Sequence, residues 1–203
     1  MTEHFLEDYQ VGQTFSSSVA RVESGRIRSF AAEFDPQPFH LSEEGAAGTI
    51  FGSLAASGWH TAAMTMRMVV EGTLRPAGGV VGLGFDEFRW PSPVRPGDEL
   101  RAETEILEVR SSKSRPGHGV IKVRIATMTQ HGRPVQIAVG QLLVPRRDRK
   151  NATEAEPTNT AAPIAQGSIP ARRMRCHPDW PFRHLLDTES SGASTRPLAR
   201  VRS

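Results

Sequence analysis

The sequence has few of the residues that mark secreted, metal-thiolate or membrane proteins. Its 203 residues include one cysteine, Cys176, so neither an intrachain disulfide nor a cysteine metal site can form. No stretch approaches the roughly 18–20 apolar residues that a membrane helix needs. The first residues are acidic and lack the apolar run of a secretory signal. We therefore expect a cytoplasmic protein without a membrane partner.

Apolar residues are also scarce, at 37%, which is below the usual share for a compact domain. Residues 1–145 hold 14 basic and 16 acidic side chains, whereas residues 146–203 hold 11 and 6, so the basic character belongs to the second part. That part shows no apolar periodicity, and it has no recognisable nucleic-acid motif. The sequence therefore predicts a folded domain over 1–146, a basic disordered tail over 147–203, and no nucleic-acid partner.

The patterning of the first part predicts a strand, two main helices and four further strands. Residues 13–22 read as a strand, and Ser24 is expected to cap a helix that ends at Phe34. A second helix is predicted over 58–71, ended by Gly72. Its expected buried face is Trp59, Ala62, Ala63, Met66, Val69 and Val70. The later strands are predicted over 80–90, 99–109, 119–130 and 134–144. This order indicates an α+β fold, with an antiparallel sheet packed on one long central helix.

A proline-rich segment before the central helix displays two ionisable side chains, Asp35 and His40. Pro36 and Pro38 fix their own φ and push the preceding residues toward extended backbone. We interpret residues 34–40 as a stiff, non-helical loop. A carboxylate and an imidazole on such a loop form an acid/base pair. The alternative is that Asp35 only forms an Asx-type turn with nearby backbone N–H groups.

The start of the central helix is the second candidate feature. Ser57 suits the N-cap and Gly58 the first turn, where backbone N–H groups are unpaired and the helix carries a partial positive charge. If this helix start lies next to the acid/base pair, its N–H groups are suited to bind the negative charge that develops on a substrate oxygen. The alternative is that Ser57 and Gly58 only cap the helix. His60 with His40 lacks a third ligand at convincing spacing, so we expect no metal site.

Four motifs in this order resemble the MaoC-type dehydratases, which are R-specific enoyl-CoA hydratases of the hot-dog fold. They are Phe30–His40, Ala55–His60, Trp90–Asp98 and Ser112–Gly117. The resemblance spans residues from about 10 to 146. It implies a sheet wrapped around the central helix, and a homodimer or higher homo-oligomer whose sheets join. It also implies reversible hydration of trans-2-enoyl thioesters, with no cofactor apart from the CoA or carrier-protein arm of the substrate.

The resemblance assigns Asp35 and His40 to the catalytic pair and the N–H of Gly58 to the thioester oxygen. Met66 stands where many members have a serine near the pair. We interpret Trp59 and Met66 as core or acyl-pocket side chains. Four cations near turns are candidates for CoA phosphates, and we select the last of them as a substrate-binding residue. They are Arg89, Arg95, Lys113 and Arg115.

Two other functions compete with hydration. A hot-dog thioesterase hydrolyses the same thioester, but such enzymes generally carry their carboxylate on the central helix, and the first acid there is Glu71, at its far end. A non-catalytic acyl-thioester binding module is the other alternative. The presence of Asp35, His40 and Gly58 together argues against it, because a lapsed site has no physical reason to keep all three.

Overall fold

The computed structural model describes residues 2–147, whose strands form one antiparallel sheet. The strands are β1 (Thr14–Ser16), β2 (Ala20–Arg21), β3 (Val81–Arg89), β4 (Glu99–Ser111), β5 (His118–Thr129) and β6 (Pro134–Pro145). The helices are α1 (Ser24–Phe34), α2 (Pro38–Leu41), α3 (Glu43–Ala47) and α4 (Gly58–Glu71), with a 3₁₀ turn at Leu6–Asp8. None of the helices in these residues is long and apolar enough to cross a membrane. Residues 148–203, with Cys176 and nearly all of the predicted tail, lie outside the described residues.

The sheet runs in the order β1, β4, β5, β6, β3, and β2 also pairs with β4. Strand β3 is therefore an edge strand, and its side chains are mostly exposed. The four predicted long strands are confirmed to within two residues at each end. The turn between β5 and β6 is also confirmed, because Gly132 adopts φ +73° and donates its N–H to the Thr129 carbonyl at 2.9 Å.

The predicted strand over 13–22 was wrong as one element, because the chain forms two short strands, β1 and β2, instead. The interruption is at Ser17. Its backbone N–H donates to the Ala102 carbonyl at 3.0 Å, but its hydroxyl, rather than a backbone carbonyl, accepts the Ala102 N–H at 2.9 Å. A side chain that replaces the backbone acceptor stops the regular ladder at this point.

Helix α4 has the predicted bounds, and Ser57 caps it by accepting the Trp59 N–H at 3.2 Å. The prediction of a wholly non-helical loop over 34–40 was wrong, because Pro38 begins the one-turn helix α2 and His40 lies in it. Proline suits a first helical position, where its missing N–H has no intrahelical partner. The predicted cap of α1 was also wrong, since Glu23 holds the N-cap position and Ser24 is the first helical residue.

The buried face of α4 differs from the predicted one. Trp59, Met66 and Val70 are exposed, whereas Thr61 and Thr65 are buried. Their hydroxyls find partners inside the fold: Thr65 Oγ1 lies 2.8 Å from Thr127 Oγ1 on β5, and Thr61 Oγ1 donates to the Ser57 carbonyl at 3.2 Å. Val69 is buried as predicted, together with Met68. A buried hydroxyl with a partner costs little, so the two threonines share the buried side of the helix with them.

The core fills the space between α4, α1 and the inner face of the sheet. Its members are apolar side chains from every one of these elements. The largest fully buried ones are Ile27, Leu54, Leu74, Leu100, Ile106, Ile121, Val22, Val94, Val123, Val135 and Val144. The alternation along β5 decides which side chains join it: Ile121 and Val123 pack in the core, whereas Lys122 between them reaches Asp86 on β3.

The Thr65–Thr127 hydrogen bond yields a stability prediction. Thr65→Val or Thr127→Val alone leaves a buried hydroxyl without a partner, which costs about 1–3 kcal/mol. The double variant removes both hydroxyls at nearly constant shape, so we expect it to cost clearly less than the sum of the single variants. Urea unfolding of the four proteins measures the difference, with exposed Thr14→Val as the control. Additive losses would contradict the coupling.

Candidate active site

The predicted pair meets at the junction between α1 and α2. Asp35 follows the last residue of α1 and donates its N–H to the Ala31 carbonyl at 3.0 Å, which closes the helix. His40 lies five residues on, in α2. The turn between them brings Asp35 Oδ2 to 3.4 Å from His40 Nε2. The structure therefore brings together the carboxylate and the imidazole that the sequence singled out.

Two side chains hold the Asp35 carboxylate, one at each oxygen. The Ser57 hydroxyl donates to Oδ2 at 2.7 Å, and the Gln37 amide donates to Oδ1 at 2.7 Å. Partial burial alone would raise the pKa of Asp35. The hydrogen bonds from Ser57 and Gln37, with the charge of His40, outweigh burial and lower that pKa below its ordinary value. Asp35 is therefore an ionised acceptor at neutral pH.

The His40 ring is buried and has one defined tautomer. Its Nδ1 lies 2.7 Å from the Ala55 carbonyl oxygen, which can only accept, so Nδ1 carries the proton. In the neutral ring, Nε2 is then a proton acceptor, and it faces Asp35. Phe39 packs edge-on against the ring at 4.5 Å between centroids, and Phe51 lies at 5.9 Å. These contacts fix the orientation of Nε2 toward the carboxylate.

The start of α4 lies beside the pair because Ser57, its N-cap, bonds Asp35. Gly58 is the first helical residue, so its N–H has no acceptor within the helix. A Cβ at Gly58 would lie 2.8 Å from the indole carbons of Trp90, which is too close for any real side chain. Trp90 is held in turn by its Nε1–H, which donates to Gln136 Oε1 at 3.1 Å. Only glycine therefore fits between the helix start and Trp90.

Trp59 and Met66, the other selected residues on α4, do not belong to the core. Trp59 is 63% exposed, and its ring contacts Trp90 at 5.3 Å and Phe88 at 6.2 Å between centroids. Met66 lies about two turns farther along and is 41% exposed. The interpretation of these two as core side chains was wrong, because the sheet takes the threonine side of the helix. Their assignment to the acyl pocket stays a prediction.

Arg115 lies in the hairpin between β4 and β5, at the opposite end of β3 from Trp90. The hairpin forms one side of an open cavity of about 320 Å³, which is lined by both cationic and apolar side chains. Its lining is Arg110, Ser112, Lys113, Ser114, Arg115, Val81, Leu83, Val120 and Leu143. We refer to it as the hairpin groove. Within one chain, the hairpin groove and the Asp35–His40 pair lie toward different ends of the sheet.

The other two candidate cations have partners within the fold. Arg95 donates through its guanidinium to the carbonyls of Phe51, Ser53 and Leu54, so it braces the segment that leads into α4. Arg89 pairs with Glu87, Nη2 to Oε1, at 2.6 Å. The suggestion that Arg95 meets substrate phosphates is therefore wrong for this structure, because backbone carbonyls occupy its guanidinium.

His60 does not join His40. Its ring is buried and stacks on Phe30 at 4.9 Å between centroids, nearly parallel. Burial and the nearby Arg26 lower the pKa of His60 below its ordinary value, so the ring is neutral at neutral pH. Among residues 2–147, no three metal-ligating side chains are grouped to hold an ion.

Sequence reasoning missed three residues of the site: Gln37, Trp90 and the second role of Ser57. Ser57 was interpreted only as an N-cap, yet its hydroxyl also donates to Asp35. Gln37 had a local signal, since it is two residues from Asp35 in a tight turn, where such side chains meet. Trp90 had none, because its approach to Gly58 depends on where β3 ends in the folded sheet.

Comparison with known proteins supports the same assignment. The model of the MaoC-like domain family matches residues 8–128. The mesaconyl-CoA hydratase of Cereibacter sphaeroides is 31% identical over 168 residues, which cover 82% of this chain but 45% of that protein. The MaoC-like dehydratase structure from Rhodospirillum rubrum is 50% identical, with a TM-score of 0.69 over 71% of this chain and 99% of that one. The R-hydratase PhaJ1 of Pseudomonas aeruginosa is 26% identical, with a TM-score of 0.56 over 80% and 96%. The chain therefore belongs to the MaoC-like dehydratases, which are hydro-lyases with the hot-dog fold.

Proposed function

We propose that the protein catalyses the reversible addition of water to trans-2-enoyl thioesters, which gives (R)-3-hydroxyacyl thioesters. The observation that carries this proposal is the 3.4 Å approach of Asp35 Oδ2 to His40 Nε2, beside the helix start at Gly58. Membership of the MaoC-like dehydratases supports the reaction class. The names of two relatives, a mesaconyl-CoA hydratase and an R-hydratase, support an enoyl thioester as substrate.

The pair is suited to hold one water. Ionised Asp35 and neutral His40 each present an acceptor, Oδ2 and Nε2, to the same space. The two acceptors are 3.4 Å apart, so a water that lies to one side of them can donate one O–H group to each. Its oxygen lone pairs then point away from both residues, toward the substrate. Such a water is both oriented and polarised for attack on Cβ of the enoyl group.

The proton steps follow from the His40 tautomer. As the water oxygen bonds to Cβ, one water proton moves to His40 Nε2, and the π electrons shift to Cα and the thioester oxygen. The imidazolium then returns a proton to Cα, which restores the neutral ring and the thioester carbonyl. Asp35 stays ionised throughout and stabilises the imidazolium across the 3.4 Å gap. Dehydration is the same sequence in reverse.

The Gly58 N–H is the proposed donor to the enolate oxygen. It lies at the N-terminus of the 14-residue helix α4, where the dipole adds a partial positive charge. A donor aimed at the developing charge is typically worth roughly 3–4 kcal/mol in transition-state stabilisation. In this proposal the side chains perform the proton transfers without a resident cofactor, and the CoA or carrier arm enters as part of the substrate.

Glu71 does not favour the thioesterase alternative. It ends α4, about 20 Å along the helix from Gly58, and it pairs with Arg67 Nε at 2.8 Å on the exposed face. A carboxylate in that position is too far from the helix start to act on the same thioester carbonyl in this chain.

Variants of the catalytic pair test the proposed reaction. Wild-type protein is expected to consume the conjugated enoyl absorbance of crotonyl-CoA, or of a branched or dicarboxylic enoyl-CoA, and to yield the R-3-hydroxyacyl product. Asp35→Asn and His40→Ala should each lower kcat by roughly 10²–10⁴-fold. His40→Ala removes the proton-transfer group, and Asp35→Asn removes the charge that orients the water and stabilises the imidazolium. Glu33→Gln and His131→Ala are matched controls outside the site. Release of free CoA thiol would indicate a thioesterase, and no turnover of any thioester would favour the binding module.

We also propose a homodimer joined through β3. This edge strand exposes Val81, Leu83 and Phe85, each by about half of its surface, and the exposed apolar side of α4 includes Met66 and Val70. An unpaired edge with an apolar border is a template for pairing with another strand. A second copy that pairs β3 with β3 would cover both features, as the resemblance implies.

Leu83→Glu tests this interface. A buried, unpaired charge at a subunit contact is costly, so this variant should elute and scatter light as a monomer while the wild type is a dimer or larger. Val19→Glu is the matched control, because Val19 is equally exposed, at 52% against 53%, but lies away from β3. A wild-type monomer, or an unchanged mass for Leu83→Glu, would contradict the proposed interface.

The hairpin groove is the proposed site for the phosphates of a CoA substrate, with Arg115 and Lys113 as contacts. Antiparallel pairing of two β3 strands would place the Val81 end of one copy beside the Arg89 end of the other. The hairpin groove of one subunit would then lie toward the Asp35–His40 pair of the other. Its cations suit phosphate oxygens, and its apolar floor suits a nucleobase face.

A truncated substrate separates this role from the chemistry. Arg115→Ala with Lys113→Ala should raise KM for crotonyl-CoA by about tenfold, because charge-assisted hydrogen bonds to phosphate are lost. The same variant should leave KM for the crotonyl N-acetylcysteamine thioester unchanged, since that substrate has no phosphate. Arg101→Ala, an exposed arginine at the other end of β4, is the control. Equal changes for both thioesters would contradict phosphate binding in the hairpin groove.

A further inference from the structure

The Ser57 hydroxyl joins two parts of the site that are 22 residues apart in sequence. It donates to Asp35 Oδ2 at 2.7 Å and accepts the Trp59 N–H at 3.2 Å. The side chain is 1% exposed, so water does not compete for either bond. A hydroxyl has one proton, and an ionised carboxylate can only accept, so the direction of the bond to Asp35 is fixed.

The two bonds have different functions. The bond from Trp59 caps α4, as any N-cap serine would. The bond to Asp35 pairs with no N–H group of the helix, but it sets the position of the carboxylate relative to the first turn of α4. Gly58, the proposed oxyanion donor, is the next residue in the chain.

We infer that Ser57 is a positioning residue of the hydration reaction, which holds the Asp35 carboxylate in register with the N–H of Gly58. This inference rests on the proposed function. The attacking water and the thioester oxygen belong to one substrate complex, so the group that orients the water and the donor that binds the oxygen must keep a fixed separation. A misplacement of about 1 Å at such a centre can cost on the order of 10²-fold in rate.

Gln37 is a weaker restraint on the same carboxylate. Its amide donates to Oδ1 at 2.7 Å, but the side chain is exposed, so water can replace it. Asp35 itself follows the end of α1 with backbone angles of φ −153° and ψ 68°, outside regular structure. Ser57 is therefore the buried bond that ties this carboxylate to the helix.

Three variants separate positioning from capping. Ser57→Gly removes the donor, but glycine is an acceptable N-cap and costs only a few tenths of a kcal/mol at such a position. Ser57→Thr keeps a hydroxyl. Ser42→Gly is the matched control, because Ser42 caps the neighbouring helix α3, where its hydroxyl accepts the Gly45 N–H at 2.9 Å, without a bond to Asp35.

Steady-state kinetics with the best enoyl thioester, over a range of pH, form the first measurement. Ser57→Gly should lower kcat by about 10–100-fold with little change in KM. Ser57→Thr should restore kcat in large part, and Ser42→Gly should match the wild type. Thermal unfolding of each variant confirms that it is folded.

A second measurement does not depend on turnover. ¹³C NMR of protein labelled at the aspartate carboxyl, with the Asp35 signal assigned by Asp35→Asn, should show a higher pKa for Asp35 in Ser57→Gly than in wild type. An unchanged titration and an unchanged kcat in an active enzyme would overturn the role of Ser57 alone, as would an equal loss in Ser42→Gly. A wild type that hydrates no thioester would instead overturn the proposed function, and the catalytic role of Ser57 with it.

Discussion

Three of the four consecutive residues 55–58 position or supply the groups to which the proposed chemistry assigns a role. The Ala55 carbonyl accepts the His40 Nδ1–H and so sets the imidazole tautomer, while the Ala55 N–H donates to the Phe39 carbonyl. Ser57 holds the Asp35 carboxylate, and Gly58 offers the first free N–H of α4. One short segment that leads into α4 therefore contacts all three groups and sets their positions relative to the helix start.

The central helix α4 buries two polar side chains against the sheet at little cost in stability. Thr61 and Thr65 face the sheet, and their hydroxyls are paired, so their burial costs little. The apolar side of the same helix lies open beside the exposed edge strand β3. The buried hydroxyls of the helix have hydrogen-bond partners, and its exposed side carries apolar side chains that a second subunit could cover. This agrees with the oligomeric arrangement proposed above.

The electrostatics of the pair depend on the same neighbours. Partial burial would push Asp35 toward its neutral form, but two donated hydrogen bonds and the charge of the facing imidazole lower its pKa, so the carboxylate stays ionised at neutral pH. In the proposed mechanism, this ionised acceptor and His40 Nε2 together hold the attacking water. The ionisation of Asp35 therefore depends on its hydrogen bonds and on the neighbouring charge, and the residue type alone would not specify it.

The sequence by itself determined the long strands and the bounds of α4, because these depend on local periodicity and capping. It also singled out Asp35 and His40 as candidates, because they lie in a motif that resembles the MaoC-type dehydratases. Only the tertiary structure decided which face of α4 is buried, that Trp90 covers Gly58, and that Ser57 donates to Asp35. Each of these results joins residues far apart in the chain. Local preference cannot encode such contacts, since they arise from the register of the sheet and the position of the helix across it.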